Sequence, residues 1–356
     1  MIKNLKRYKR QLEKEGKVEE AKYYNFFPTT YDLPKEYSIF VEEFKKNAGI
    51  VWIMKPIARS QGKGIFLFNK LSQISVWKND YKWKPENPQA EPYIVQKYII
   101  DPLLIGGKKF DLRIYALVTS YQPLTIYLYR TGFARFTSYR YNTNVEEISN
   151  NYMHLTNVAV QKTSENYNEK TGGKWELRSL KQYLISKFGL QIVSICFEKI
   201  QDIILKSLRS VSKIIIHDKH CFELYGYDIL IDKDLRPWLI EINASPSLTA
   251  NTSEDFKLKC RLLDDAFTIV DLEKLMKENE IQVGGFDLIS KGEELKLQEN
   301  FQFKTNLGCF NNRDKQLKKM AKTIATKLNN SSKGKKDNDP SLAPTTQNSN
   351  IISKQN

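Results

Sequence analysis

Asp228, Glu241 and Asn243 are the residues whose types and spacing point most directly to chemistry. They sit on two apolar runs, residues 221–231 and 237–242, joined by Asp232-Lys233-Asp234, whose composition suits a turn. In an antiparallel hairpin of this kind Asp228 falls roughly opposite Glu241, and Asn243, two positions on, shares the face of Glu241. Two carboxylates and a carboxamide make a hard-oxygen set suited to Mg²⁺, which completes its octahedron with water and nucleotide phosphates. Carboxylates on an exposed hairpin are the plainer alternative. Against it, both flanking runs read as buried strands, where acidic groups need a partner such as a cation.

A second constellation is Trp52-Ile53-Met54-Lys55-Pro56 followed by Ser60-Gln61-Gly62-Lys63-Gly64-Ile65. A strand that ends in a lysine and leads into a small, flexible loop can offer a point charge and backbone N–H groups to phosphates. A tight hairpin would use the same glycines. Gln96-Lys97-Tyr98-Ile99 ends one extended run and Lys109-Phe110-Asp111-Leu112-Arg113 begins another, so backbone groups for a base and side chains for phosphates could meet there. Arg113 could equally pair with Asp111 or another acid. His154-Leu155-Thr156-Asn157 reads as a polar site segment or as a capped helix start. His217 and His220 lack the companions of a metal site.

The elements that must position these residues follow from periodicity. Strand-like runs at residues 50–54, 64–68, 93–99, 112–119 and 124–129 are punctuated by Gly, Pro, Asn and Asp. Between residues 175 and 213 the period becomes helical, with Leu177, Leu180 and Leu184 in one segment and Val193, Ile200, Ile204, Leu208 and Val211 in the next. Further helices are expected over residues 262–278 and 315–328. The first 22 residues suit an exposed, charged helix, because Leu5, Leu12 and Val18 make only a sparse apolar face.

A chain of 356 residues with 41% hydrophobic and 27% charged residues has the make-up of an ordinary folded protein, which excludes global disorder. The net charge of +15 favours an acidic partner. The basic C-terminal stretch lacks the interleaved aromatics of a nucleic-acid surface, so nucleic acid is not expected. No apolar run is long enough for a membrane span. Cys196, Cys221, Cys260 and Cys309 are too scattered for a disulfide framework or a thiolate zinc site. G-x(4)-G-K-[ST], a kinase H-R-D with D-F-G, and G-x-S-x-G are all absent from the sequence.

Trp-Ile-Met-Lys-Pro, Gln-Gly-Lys-Gly-Ile, Lys-Phe-Asp-Leu-Arg, His-Leu-Thr-Asn, Cys-Phe-Glu-Leu-Tyr-Gly-Tyr-Asp and Trp-Leu-Ile-Glu-Ile-Asn-Ala-Ser-Pro-Ser-Leu occur in this order between about Phe26 and Val270. Jointly they resemble the tubulin-tyrosine-ligase-like family, and residues 283–289 and 307–316 are similar to its polyglutamylase branch. The resemblance implies an α+β, ATP-grasp-like fold: two lobes of mixed or antiparallel sheet with packed helices and ATP held between them. It implies ATP binding by Lys55, Gln61, Gly62, Gln96, Lys97, Tyr98, Ile99, Lys109, Phe110, Asp111, Thr156 and Asn157. Mg²⁺ would be held by Asp228, Glu241 and Asn243, in agreement with the hairpin argument. Arg135 and Lys174 match positions that bind free L-glutamate; Arg113 is the candidate for stabilising charge on an acylphosphate or tetrahedral intermediate, and with Glu241 it makes the expected catalytic set. The implied reaction joins glutamate to the γ-carboxylate of glutamates in tubulin C-terminal tails through an acylphosphate.

The expected organisation is a charged helix over residues 1–25, a catalytic domain over 26–280, a basic extension over 281–330 and a disordered tail over 331–356. The start at Met1-Ile2-Lys3 resembles an internal point of family members, so an N-terminal lobe is expected to be truncated. Lys315, Lys318, Lys319, Lys322 and Lys327 could meet the acidic microtubule surface. Implied partners are tubulin and subunits of a polyglutamylase complex; the implied location is cytoplasm and cytoskeleton, with cilium and basal body. Glycine ligation and a catalytically silent microtubule-binding subunit remain the alternatives.

Overall fold

A computed structural model describes residues 1–57, 59–74, 77, 92–144, 147–170, 173–216, 218, 220–276, 280–295 and 304–334. His217, the side chain of Lys327 and the tail from residue 335 lie outside these residues. The chain opens with α1 (Ile2–Lys14) and α2 (Val18–Lys22), then β1 (Thr30–Leu33), α3 (Tyr37–Lys46), β2 (Trp52–Pro56), β3 (Phe66–Phe68) and β4 (Tyr93–Lys97). A large unit follows, with β5 (Leu104–Ile105), β6 (Lys108–Tyr121), β7 (Leu124–Phe136), α4 (Asn151–His154), α5 (Val158–Gln161), β8 (Lys174–Glu176), α6 (Leu177–Phe188) and α7 (Leu190–Ser212). It continues through β9 (Glu223–Ile231), β10 (Pro237–Asn243), α8 (Ser253–Val270), β11 (Gln282–Val283), β12 (Phe286–Lys291), β13 (Glu293–Glu294) and α9 (Arg313–Gly334). The architecture is α+β.

Two sheets form. The smaller has the order β1-β4-β2-β3, and every pairing in it is antiparallel. Its apolar face buries Trp52, Met54, Phe68 and Val95 against Phe40 of α3. The larger sheet runs β10-β9-β6-β7-β12-β11, with β5, β8 and β13 on its margins. Residues 282–291, beyond the expected domain limit at 280, are therefore strands of this sheet. Strand β6 is central and almost wholly buried, hydrogen-bonded to β9 on one side and β7 on the other.

Alternation along β6 divides its work. Leu112, Ile114, Ala116 and Val118 face the main core, where α7 presents Val193, Phe197, Ile200 and Ile204 at helical spacing. Each such fully buried aliphatic or aromatic side chain contributes roughly 1.5–3 kcal/mol. Asp111, Arg113 and Tyr115 face the other way. The far end of that second face is apolar, with Tyr115, Leu117 and Phe133 covered by Leu262 and Ala266 of α8. The near end is charged.

Two helices differ from expectation. α8 starts at Ser253 rather than 262, because Thr252 caps it by accepting a hydrogen bond from the Asp255 backbone N–H at 3.2 Å. It stops at Val270, where Asp271 turns into the left-handed region. α1 is not free on the surface: Leu5 and Leu12, seven residues apart on one face, are buried in the main core.

Candidate active site

A cleft opens between the two sheets, with about 690 Å³ of atom-free space that includes open solvent at its mouth. From the small sheet it receives Ile53, Lys55, Gln96 and Lys97, followed by Tyr98 and Ile99. Lys109, Asp111, Arg135, Asp228, Leu230, Ile240 and Glu241 come from the large sheet, and His154, Leu155, Thr156 and Asn157 from the segment joining α4 to α5. The cleft is thus walled by elements far apart in sequence. Its apolar wall, Ile53 and Ile65 with Leu155 and Tyr98, would accept a flat base.

Hydrogen bonds fix the polar residues. Lys55 Nζ donates to Gln96 Oε1 at 2.8 Å, and Gln96 Nε2 donates to Thr30 Oγ1 at 3.0 Å. Burial lowers the pKa of Lys55, with Glu241 and Asp228 opposing that effect. Lys109 Nζ donates to Tyr98 Oη at 2.9 Å and to His154 O at 2.8 Å. Burial brings Lys109 down to about 7, and Lys55 adds to the shift while Asp111 resists it. Tyr98 Oη in turn lies 3.1 Å from His154 Nδ1.

The floor is a ladder of charges written by strand register. Lys174, Arg135 and Asp111 are neighbours across β8, β7 and β6, and in the next row Phe133, Arg113, Asp228 and Glu241 follow across β7, β6, β9 and β10. Arg113 Nε donates to Asp228 Oδ1 at 2.6 Å and Nη2 to Oδ2 at 3.2 Å. Arg135 pairs with Asp111 through both oxygens and reaches Asp228 Oδ2 at 2.8 Å. Burial alone would raise the Asp228 carboxyl, but Arg135 and Arg113 outweigh it and hold it below the ordinary range. Lys55, Lys109, Arg113 and Arg135 against Asp111, Asp228 and Glu241 leave an excess of positive charge, which suits a polyphosphate.

The hairpin brings Asp228 and Glu241 together by an irregularity. Leu239 pairs with Ile229, yet the next pairing is Glu241 with Asp228, so the strand bulges at Ile240. A regular ladder would put Ile240 opposite Asp228 and turn Glu241 to the other face. The Glu241 carboxylate makes no hydrogen bond to any described residue. Although it keeps access to solvent at the cleft mouth, the surrounding walls and then Asp228 hold its pKa above the ordinary value, with Lys55 opposing. Asn243 pairs in register with Gly226 and donates to Gly226 O at 3.4 Å, leaving its amide oxygen free. The described residues contain no cluster of three His, Cys, Asp or Glu side chains set for a metal. The set here is two carboxylates and an amide, one carboxylate unengaged and the other with lone pairs beyond its guanidinium bonds, which fits a hard cation in kind.

Other expected residues lie at the edge of the cleft or away from it. Gln61 and Gly62 form a left-handed turn beside the cleft, close enough that a Cβ on Gly62 would stand 2.9 Å from Val160 Cγ2 and 3.3 Å from Asn157 Oδ1. Phe110 points into the main core on the opposite face of the sheet, so only its backbone is near the cleft. Lys174 sits in a neighbouring groove between β8 and α8, its Nζ 2.7 Å from Asp255 Oδ2 and 4.6 Å from the centre of the Phe133 ring. Tyr115, Asp255 and Lys259 were not marked by the sequence; Tyr115 reads as a core aromatic, and the two charged residues lie on an ordinary amphipathic helix.

The sequence profile of the tubulin-tyrosine ligase family matches residues 1–279. The chain belongs to the tubulin-tyrosine ligase family. Within that family, the Bos taurus protein named "Probable tubulin polyglutamylase TTLL9" is 50% identical over 362 aligned positions, covering 91% of this chain and 78% of the relative. The Tetrahymena thermophila protein named "Probable alpha-tubulin polyglutamylase Ttll1" is 52% identical over 76% of this chain and 68% of its own length. The human tubulin polyglutamylase TTLL5 is 39% identical over 70% of this chain but only 19% of its own, longer sequence. The family profile ends before β11 and β12, which complete the large sheet.

Proposed function

We propose that this chain is an ATP- and Mg²⁺-dependent tubulin polyglutamylase with an ATP-grasp-like cleft, joining free L-glutamate to the γ-carboxylate of glutamates in tubulin C-terminal tails. The observation that carries the reading is the cleft itself. Lys55, Lys97, Lys109 and Arg135 converge with an unengaged Glu241 between two sheets, in a chain half identical, over most of its length, to a protein named as a probable polyglutamylase.

In the first step a tail carboxylate oxygen bonds to the γ-phosphorus of ATP as the bond to ADP breaks, giving an acylphosphate. In the second, the glutamate amine attacks the acyl carbon, phosphate departs and the amine gives up a proton, leaving an isopeptide bond. Lys55 and Lys109 would meet phosphate oxygens, and Gln96 to Ile99 would offer the base an edge, a reading supported by their convergence on one cleft. Arg113, locked in a bidentate pair, presents a fixed guanidinium toward the charge that builds on the acyl group. Asp228, Glu241 and Asn243 would hold Mg²⁺, whose contribution when bound is to neutralise phosphate charge. Arg135 and Lys174 supply cations for the carboxylates of free glutamate. Lys315, Lys318, Lys319 and Lys322 of α9 face the acidic microtubule, and the cell compartment that fits this substrate is cytoskeletal, including cilia.

The test is mass spectrometry of tubulin C-terminal peptides after incubation with the protein, ATP and Mg²⁺, supplying glutamate, glycine or tyrosine separately. Glutamate adducts alone support the reading. Glycine adducts would make the protein a glycylase, and no adduct with co-sedimentation would make it a binding subunit.

A further inference from the structure

Two buried oxygens close to the charge ladder have no hydrogen-bond partner: Tyr115 Oη and Asp255 Oδ1. Native interiors rarely leave such atoms unsatisfied, and an orphaned oxygen beside a functional site calls for the group that completes it. The two atoms belong to one neighbourhood. Tyr115 follows Arg113 by two positions on the same face of β6, and its ring centre is 6.5 Å from that of Phe133. Lys174 Nζ lies over the Phe133 ring at 4.6 Å and bonds Asp255 Oδ2 at 2.7 Å. Lys259 Nζ approaches Asp255 Oδ1 at 3.2 Å, but its hydrogen bonds go to Oδ2 and to Thr249 O.

The remaining charges around Tyr115 are Arg113, Asp255, Arg135 and Asp228, and burial pushes its hydroxyl up to about 12, so it is neutral. A neutral phenol oxygen and a carboxylate oxygen can both accept from a cationic N–H donor. The cations that would take a carboxylate, Arg135 and Lys174, are neighbours in register in the row of Asp111, two rows along the same face from Tyr115, and Lys174 Nζ itself reaches Asp255. The groove lined by Phe133, Lys174, Thr252 and Asp255 opens from outside onto Asp255, and Phe133 separates it from the Tyr115 ring, 6.5 Å away centre to centre.

We infer that Tyr115 Oη and Asp255 Oδ1 form the amine subsite of the ligase, accepting from the α-ammonium of the incoming amino acid while Arg135 and Lys174 take its carboxylates. This rests on the ligase reading above and adds to it the atoms that hold the nucleophilic nitrogen. Ligand and site then match group for group: an ammonium on two acceptors, carboxylates on two cations.

The test is equilibrium dialysis of labelled glutamate and of labelled glutarate, which lacks the amine, with the protein in the presence of ADP and Mg²⁺. Tyr115→Phe is the main variant, because removing an oxygen without a partner leaves packing intact and folding stability unchanged or raised. Glutamate is expected to bind Tyr115→Phe about tenfold more weakly than the unaltered protein, with glutarate bound equally by both. Asp255→Asn is expected to lower the preference for glutamate over glutarate by a similar factor. Unchanged glutamate affinity in Tyr115→Phe, or an equal loss for glutarate, would overturn the inference. Trapping of an ATP-dependent acylphosphate as a hydroxamate with hydroxylamine tests the ligase reading separately. If no hydroxamate forms while amine discrimination persists, the ligase reading falls and the two oxygens are an ammonium site that serves no ligation.

Discussion

Asp228 and Glu241 face one another across β9 and β10, yet one carboxylate is clamped by two guanidiniums and the other is hydrogen-bonded to none of the described residues. Their substitutions should therefore separate folding from function. Asp228→Asn leaves Arg113 and Arg135 short of a buried counter-charge and is expected to cost about 3–5 kcal/mol, whereas Glu241→Gln is expected to cost under about 1 kcal/mol. Denaturant titration of both variants checks this. The pH dependence follows from the depressed Asp228 pKa: its contribution is complete above the ordinary carboxylate value near ~4 and fades as pH falls through the folded-state value. The stability gap between the unaltered protein and Asp228→Asn should accordingly narrow in acid.

If ATP lies in the cleft as proposed, Lys109 should link its binding to protons. Burial holds it near 7 in the free protein, far below the 10.5 of an ordinary lysine. Phosphate oxygens beside it favour the ammonium and raise that value, so binding takes up a proton above pH ~7 and weakens as pH rises. Calorimetry of ATP binding at pH ~8, in buffers of different ionisation enthalpy, should show this uptake. Lys109→Met should abolish it along with much of the affinity.

Gly62 is held at φ +80° with no room for a side chain toward Val160. Gly62→Ala adds backbone strain of order 1 kcal/mol and pushes the loop off Asn157. We expect the KM for ATP to rise several-fold with little change in the KM for glutamate, as measured by initial rates.

The C-terminal segment is clasped to the large unit through Asp265, which is fully buried. It accepts from Gly285 N at 2.8 Å and from Arg313 Nε at 2.9 Å, while Arg130 bonds Asp287 through both oxygens at 2.6 Å and donates to Phe310 O at 3.0 Å. Arg313→Ala should cost about 1–3 kcal/mol, a drop in Tm of several degrees that thermal melts would register. A melt within a degree of the unaltered protein would show that the clasp carries no stability.

The sequence made some of this legible and hid the rest for identifiable reasons. Residue types along the hairpin were enough to bring Asp228 near Glu241 but not to put both on one face, because a regular ladder around that turn sets Ile240 opposite Asp228. The bulge at Ile240 that secures the pairing has no local signature. Arg113 finds Asp228 115 positions away, and only the order of strands in the sheet could have told that partner from Asp111, which pairs with Arg135 instead. Nor does anything near Lys174 in the sequence announce Asp255, 81 positions on, which α8 places against it. Tyr115 was hidden by its type, since an aromatic in a buried strand is ordinarily core, and only the absence of a partner for its hydroxyl distinguishes it. The docking of α1 turned on two leucines that gave little periodic signal.

The central claim is that the cleft ligates glutamate to tubulin at the cost of ATP. Incorporation of radiolabelled glutamate into microtubules, with ATP and Mg²⁺ and with Glu241→Gln beside the unaltered protein, tests it most directly. The account predicts ATP-dependent incorporation that falls at least 100-fold in Glu241→Gln, a variant that still folds and removes the least encumbered carboxylate of the cleft. Equal incorporation by both proteins, or none by the unaltered protein even with purified partner subunits added, would contradict it.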